Sequence, residues 1–169
     1  MQPHQQTVSN WLESIGQTRN IPLSLGEDGH CIIKFENDLE CFIEVPRQSE
    51  VIPIYVYCPM LKLPSEQSTQ CHLLKAALEL NMFGLQTGSC QLSFDQRTNQ
   101  IVLTFACDLN MLDQELFSHF LSDFLDIASQ LNIKFQELEA LTFERQDDSQ
   151  LKDNTSNVIK TKLGIRSNS

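Results

Sequence analysis

The hydrophobic pattern between Ser65 and Phe83 predicts a helix with apolar residues on two opposite sides. At about 100° per residue, one side carries Cys71, Leu74, Leu78 and Met82. The other side carries Leu73, Ala76, Ala77, Leu80 and Phe83. A helix that covers one face of a sheet needs only one apolar stripe. The second stripe must therefore pack against another helix of this chain or against a second copy of the chain.

Alternating apolar and polar residues predict strands on both sides of this helix. Before it, the pattern predicts strands at Cys31–Glu36, Leu39–Val45 and Val51–Cys58, with a further short strand allowed at Leu23–Leu25. After it, Cys90–Phe94 and Ile101–Ala106 predict a hairpin. Pro59 and Pro64 bracket a predicted loop, and Ser65 is the predicted cap of the helix.

Two further helices complete the predicted fold. A short first helix carries Val8, Trp11 and Leu12 on one face, and a last helix with one broad apolar face begins near Asp113. The predicted order is therefore α-β-β-β-α-β-β-α. Because hairpins connect most of the strands, we predict an α+β fold with a largely antiparallel, twisted sheet of about five strands and three helices.

Some apolar side chains fall on the side of a strand that should face water. Phe42 is an aromatic residue on the otherwise polar side of its strand. Tyr55 and Tyr57 alternate with Ile54 and Val56, so their strand is apolar on both faces. Such side chains are either covered by a helix or form an exposed patch for a partner, and the sequence leaves both possibilities open.

The charge of the chain is acidic and unevenly distributed. The 169 residues carry a net charge of −10, yet the first 144 residues contain 19 acidic and 7 basic side chains. An acidic body of this kind repels phosphate backbones, so nucleic acid is not an expected partner. From Arg145 onward the chain is polar without a convincing period. We therefore predict a domain over residues 1–144 and a flexible polar tail over residues 145–169.

The sequence offers no recognisable catalytic, cofactor or metal site. Its six cysteines are widely spaced without a C-x-x-C pair, which is typical of buried thiols in a reducing compartment and not of a zinc site. Cys71 and His72 are adjacent on a helix, so they point about 100° apart and form no nucleophile–base pair. Glycine-rich phosphate loops and hydrolase motifs are missing. No apolar run approaches a membrane span, and we expect a cytosolic protein.

Three groups of residues resemble one known family. Leu73-Leu74 with Asn81 and Gly88 resembles that family's central helix and exit turn. The run Leu92-Ser93-Phe94-Asp95 with Ile101-Val102-Leu103 resembles its final hairpin. Leu112-Asp113 with Leu116, Phe120, Phe124 and Ala128 resembles the start and spine of its last helix. The family is that of the class I type III secretion chaperones of Gram-negative bacteria, the Tir-chaperone-like proteins.

The resemblance implies a homodimer in the bacterial cytoplasm, without catalytic activity or cofactor. Such a dimer binds the N-terminal segment of one or more secreted effectors in non-globular form and delivers it to the export apparatus and its ATPase. The expected dimer face is Leu73, Ala77, Leu80 and Phe83, although the two helix stripes could be exchanged. The expected effector contacts, between the first helix and the early strands and partly at a sheet edge, are Trp11, Leu12, Ile33, Phe35, Phe42 and Ile54.

Two other functions remain open on the sequence alone. The first is an adaptor or regulatory domain of the same fold that binds folded partners. The second is an enzyme with a cysteine site assembled from distant parts of the chain.

Overall fold

The computed structural model describes residues 1–47 and 52–162, with side chains up to Leu141 except that of Asn37. It contains three helices and five strands in the predicted order. The helices are α1 (Pro3–Arg19), α2 (Gln67–Leu80) and α3 (Gln114–Lys162). The strands are β1 (His30–Lys34), β2 (Glu40–Glu44), β3 (Pro53–Lys62), β4 (Gln91–Asp95) and β5 (Gln100–Asp108). The predicted α+β class and element order are therefore confirmed.

The five strands form a single antiparallel sheet in the order β1-β2-β3-β5-β4. The segment Leu23–Leu25, where we allowed a short extra strand, is not a strand. The predicted loop after Pro59 is wrong, because β3 continues to Lys62 with a change of register between Pro59 and Leu61. Strand β2 pairs with β3 only as far as Tyr57. Pro59 therefore lies beyond that ladder, where its missing N–H removes no bond to β2.

The hydrophobic core lies on one face of the sheet, which we call the inner face. Six residues of this face have no exposed surface: Cys41, Ile43, Ile54, Val56, Cys58 and Leu103. Helix α3 packs on this face, because the ring centroids of Phe105 in β5 and Phe120 lie 3.9 Å apart. Each fully buried aliphatic or aromatic side chain stabilises the fold by roughly 1.5–3 kcal/mol.

Helix α1 is fixed to the base of the β1–β2 hairpin by a buried glutamine. The Nε2 atom of Gln5 donates a hydrogen bond of 2.8 Å to the carbonyl oxygen of Val45. Gly29 lies beside this bond with φ +85, and a Cβ there would lie 2.5 Å from both of these atoms. Only glycine combines this left-handed backbone with such a close approach.

Helix α3 is longer than the sequence analysis predicted. Its backbone is helical to Lys162, so residues 145–162 continue the helix where we expected a flexible tail. No proline or glycine occurs between Asp113 and Gly164 to stop the helix. The chain divides into two compact units, Met1–Ile133 and a second unit from Lys134 onward. The predicted boundary at residue 144 stays a prediction, and residues 163–169 lie outside the described part.

Candidate functional site

The two apolar flanks of α2 have different surroundings. Leu73 is 0% exposed and Ala77 is buried, whereas Leu78 is 70% exposed. Thr69, Leu73 and Ala77 follow one another at intervals of four residues, so the buried flank is a single row along the helix. The opposite stripe is the exposed one, because Met82 is also largely open to solvent. Of the two arrangements that the sequence allowed, the protomer buries the Leu73 stripe.

The exit turn of α2 adds further exposed apolar residues. Phe83 has φ +56, which takes the chain out of the helical path. Its side chain is 88% exposed, and that of Leu85 is 80% exposed. A helical projection therefore no longer applies at Phe83, although we placed this residue on the Leu73 stripe. Of the four residues expected at the dimer face, Leu73 and Ala77 are inside the protomer, Leu80 is half-buried and Phe83 is on the surface.

The second face of the sheet, which we call the outer face, carries an apolar row across three strands. The cross-strand pairs place Ile32 next to Phe42 and Phe42 next to Tyr57. The rings of Phe42 and Tyr57 are stacked, with centroids 5.1 Å apart and an interplanar angle of 6°. A shallow hollow of about 930 Å³ lies over this face, and its lining includes Phe42, Tyr55, Tyr57, Pro59 and Val102. Ile32 is exposed and Phe42 and Tyr57 are half-buried, so part of the row is accessible to a partner.

The six expected effector-contact residues do not lie on one surface. Trp11, Phe35 and Phe42 are half-buried, and Trp11 lies 5.7 Å from Phe117 between ring centroids. The other three are in the core: Leu12, Ile33 and Ile54. The alternation of side chains along a strand could have identified the last two, because Ile33 shares a face with Cys31, and Ile54 with Val56. Ile32, Tyr55 and Tyr57 are outer-face residues that our set of contacts omitted.

The free edge of β1 is open at two neighbouring outward positions. Gly29 accepts a bond of 2.9 Å from Val45 N, and Phe35 N donates one of 3.0 Å to Leu39 O. The backbone N–H and C=O groups of the odd-numbered residues of β1 therefore point towards β2, and those of the even-numbered residues point towards the free edge. His30 is already satisfied, since its N–H donates to Asp28 and its carbonyl accepts from Gly26 N. Within the described residues, no partner is found for the backbone groups of Ile32 and Lys34.

The buried thiols are not reactive nucleophiles. Burial raises the pKa of Cys58 to about 12 and that of Cys90 to about 11. Burial also raises the pKa of Cys41. These thiols are protonated at neutral pH, and the thiolate is the reactive form. In residues 1–47 and 52–162, no three histidine, cysteine or acidic residues are grouped so that they could hold a metal ion.

None of the helices in the described part of the chain is long and apolar enough to cross a membrane.

A family of chaperones matches most of the chain. The sequence model of the Tir chaperone protein (CesT) family matches residues 10–132. This range runs from α1 to α3 and includes the whole sheet and both flanks of α2. A comparison with curated protein sequences gives no match.

Solved structures of similar fold include several complexes. A chain of the ExsC–ExsE complex superposes with a TM-score of 0.59 at 17% identity, covering 76% of this chain and 92% of that one. The HopA1–SchA chaperone–effector complex gives 0.57 at 14% identity, covering 78% and 98%. The Yersinia pestis type III secretion chaperone SycH with a fragment of YscM2 gives 0.51 at 17% identity, covering 74% and 99%. At these identities the likeness shows a shared fold.

Proposed function

This chain belongs to the Tir chaperone protein (CesT) family, and we propose that it is a dimeric chaperone of type III secretion effectors. Two copies bind the N-terminal segment of an effector, keep that segment non-globular and deliver it to the secretion apparatus and its ATPase. The chaperone–effector complex among the structures of similar fold supports this role. The client segment is held by a binding equilibrium, so the chain needs to catalyse no chemical step.

The dimer face that we propose is the exposed flank of α2 with its exit turn. It consists of Leu74, Leu78, Met82, Phe83 and Leu85. This choice keeps Phe83 from the expected set and exchanges the two helix stripes, because Leu73 and Ala77 are already buried within one protomer. A two-fold axis would bring the same apolar stripe of each copy together. The exposed surface of Leu78 and Phe83 would then leave water.

The client site that we propose combines the outer face of the sheet with the free edge of β1. An extended segment that pairs with Ile32 and Lys34 would become a sixth strand. Alternate side chains of that segment would lie beside the Ile32–Phe42–Tyr57 row. The observation that carries this proposal is that the open edge borders the apolar row. The half-buried Trp11 and Phe35 remain proposed contacts.

We propose a cytoplasmic and non-catalytic role. Chaperones of this family act on effectors before export, which supports a location in the bacterial cytoplasm. The high pKa of the buried thiols supports a role without nucleophilic catalysis. The acidic charge of −10 suits client segments with basic residues.

The test is binding to defined candidate clients. The chain is co-produced with each secreted protein encoded beside it, and the purified complex is examined by sedimentation and by hydrogen exchange. We expect two copies of the chain per client, with slower amide exchange at Ile32 and Lys34 and in an extended N-terminal segment of the client.

Two matched variants test the client surface. Phe42→Asp should weaken client binding, whereas Leu116→Asp, at an exposed leucine of α3, should not. A monomer that retains no client would contradict the proposal. Binding of a folded client domain without protection of an extended segment would instead support the adaptor function.

A further inference from the structure

The free edge of β4, on the side away from β5, is occupied by a side chain from the end of α2. The Nδ2 atom of Asn81 donates a hydrogen bond of 2.9 Å to the carbonyl oxygen of Leu92. The backbone N–H of Leu92 donates one of 2.8 Å to Asn81 Oδ1. One carboxamide thus makes the two bonds that an added strand would make to Leu92.

The neighbouring outward position of this edge is also engaged. The backbone N–H and C=O groups of Leu92 point away from β5. The backbone groups of Cys90 and Phe94, two positions before and after it, therefore point away from β5 as well. The N–H of Cys90 donates a bond of 2.9 Å to the carbonyl oxygen of Thr87 in the exit turn. Phe94 is left as a single outward position on β4. A strand that paired here would meet one unoccupied residue between an occupied one and the turn after Asp95.

The opposite edge of the sheet differs in this respect. On β1, the backbone groups of Ile32 and Lys34 occupy consecutive outward positions, and no side chain or turn is bonded to either pair of groups in the described residues. An unprotected edge accepts strands without discrimination, and proteins commonly cover the edge that must not pair. The sheet therefore has one edge prepared for pairing and one edge that is covered.

We propose that Asn81 determines where a client strand can join the sheet, by blocking the edge of β4 and leaving β1 as the only acceptor. This inference rests on the proposed client binding by strand addition. Asn81 also lies four residues after Ala77, in the row of α2 that faces the sheet. The same carboxamide therefore fixes the rotation of α2 and protects the edge beside it.

The experiment uses the full chain and a short synthetic peptide of alternating threonine and valine with lysine at both ends. Binding is followed by the amide NMR signals of the chain and by calorimetric stoichiometry. In the unaltered chain we expect one peptide per protomer, with shifts at Ile32 and Lys34. In Asn81→Ala we expect two peptides per protomer, with new shifts at Leu92 and Phe94. The Leu92 amide should also exchange about tenfold faster in this variant without peptide.

Two further variants make the result specific to the carboxamide. Asn81→Asp keeps the acceptor for Leu92 N but, when ionised, cannot donate to Leu92 O, so its second site should be weaker than that of Asn81→Ala. Gln70→Leu removes a half-buried amide at the other end of α2 and should keep one site. A gain of stoichiometry in Gln70→Leu would overturn the inference.

The outcomes distinguish this inference from the function on which it rests. Peptide shifts at β1 in every variant, with none at β4 in folded Asn81→Ala, would overturn the role of Asn81 and leave client binding at β1 standing. Peptide shifts at β4 of the unaltered chain would also overturn it. No shift at either edge in any variant would overturn strand addition itself, and the inference with it.

Discussion

The two flanks of α2 have similar apolar composition but different roles in the structure. Leu73 has no exposed surface, whereas Leu78, five residues later on the same helix, is 70% exposed. The buried flank carries the small Ala77 and ends at Asn81, which bonds to β4. The exposed flank carries long side chains and no polar anchor. One side of this helix thus serves the fold, and we propose that the other side serves association.

The sheet shows the same division between its faces. Its inner face is covered by helices and contains side chains with no exposed surface. On its outer face, Ile32 is exposed, and Phe42 and Tyr57 are half-buried. We expect substitutions on the covered surfaces to lower stability and substitutions on the open surfaces to lower binding.

Leu73→Ala should lower the free energy of unfolding by about 2–5 kcal/mol, because it leaves a cavity in the core. Leu78→Ala should change the same quantity by less than about 0.5 kcal/mol in the dissociated protomer, because its side chain is mostly in water. Urea unfolding at low protein concentration measures both. Equal losses in the two variants would contradict the division of the flanks.

Leu78→Asp should dissociate the proposed dimer. A charge placed at a buried interface position costs about 2 kcal/mol or more, which corresponds to roughly a 30-fold increase in the dimer Kd. Sedimentation equilibrium over a dilution series measures this increase. Leu116→Asp, on an exposed leucine of α3, is the matched control and should leave the Kd unchanged. A dimer that is unaffected by Leu78→Asp must use another surface.

Phe42→Ala should weaken client binding by about 1–2 kcal/mol, since a half-buried aromatic anchor is lost. It also removes the stacked pair with Tyr57, which is worth about 0.5–1.5 kcal/mol of stability. Titration calorimetry with a purified client segment, alongside urea unfolding, separates the two effects. If client affinity is unchanged while stability falls, the outer face belongs to the fold and not to the site.

Ile32→Pro should weaken binding of an extended client by about 1 kcal/mol, because the N–H at the open edge disappears. The ladder between β1 and β2 should persist, since this N–H points away from β2. The expected loss is roughly fivefold in client affinity, with little change in thermal stability. Ile32→Val keeps the N–H and should bind as the unaltered chain does. Unchanged binding by Ile32→Pro would exclude strand addition at this position.

The start of α2 should lose stability only in strong acid. Hydrogen bonds from Ser68 and Thr69 hold the pKa of Glu66 at about 2, below its ordinary 4.5. The stabilisation is therefore present above pH 4.5 and is lost as the pH falls towards about 2. Amide exchange in the first turn of α2 should rise over this range, and Glu66→Gln should abolish the pH dependence. Both flanks of α2 follow this first turn, so amide exchange should rise on both flanks over the same pH range.

Part of the candidate site could be predicted from the sequence. The alternation around Phe42 placed this aromatic on the side opposite to Cys41 and Ile43, and the structure has it there. The two stripes of α2 followed from its periodicity. The extent of the open β1 edge did not, because His30 is closed only by hydrogen bonds to Gly26 and Asp28 that form after the chain has folded.

We could predict from the sequence alone the order of helices and strands, the antiparallel sheet and the excess of apolar surface on α2. These properties are local, since side-chain period and turn residues act over a few positions. The folded chain was needed to show which stripe of α2 is buried, which sheet edge is covered, and that β3 continues through Pro59. A period states which residues share a face, but the partner of that face is a distant segment, and the bond from Asn81 to Leu92 joins two such segments.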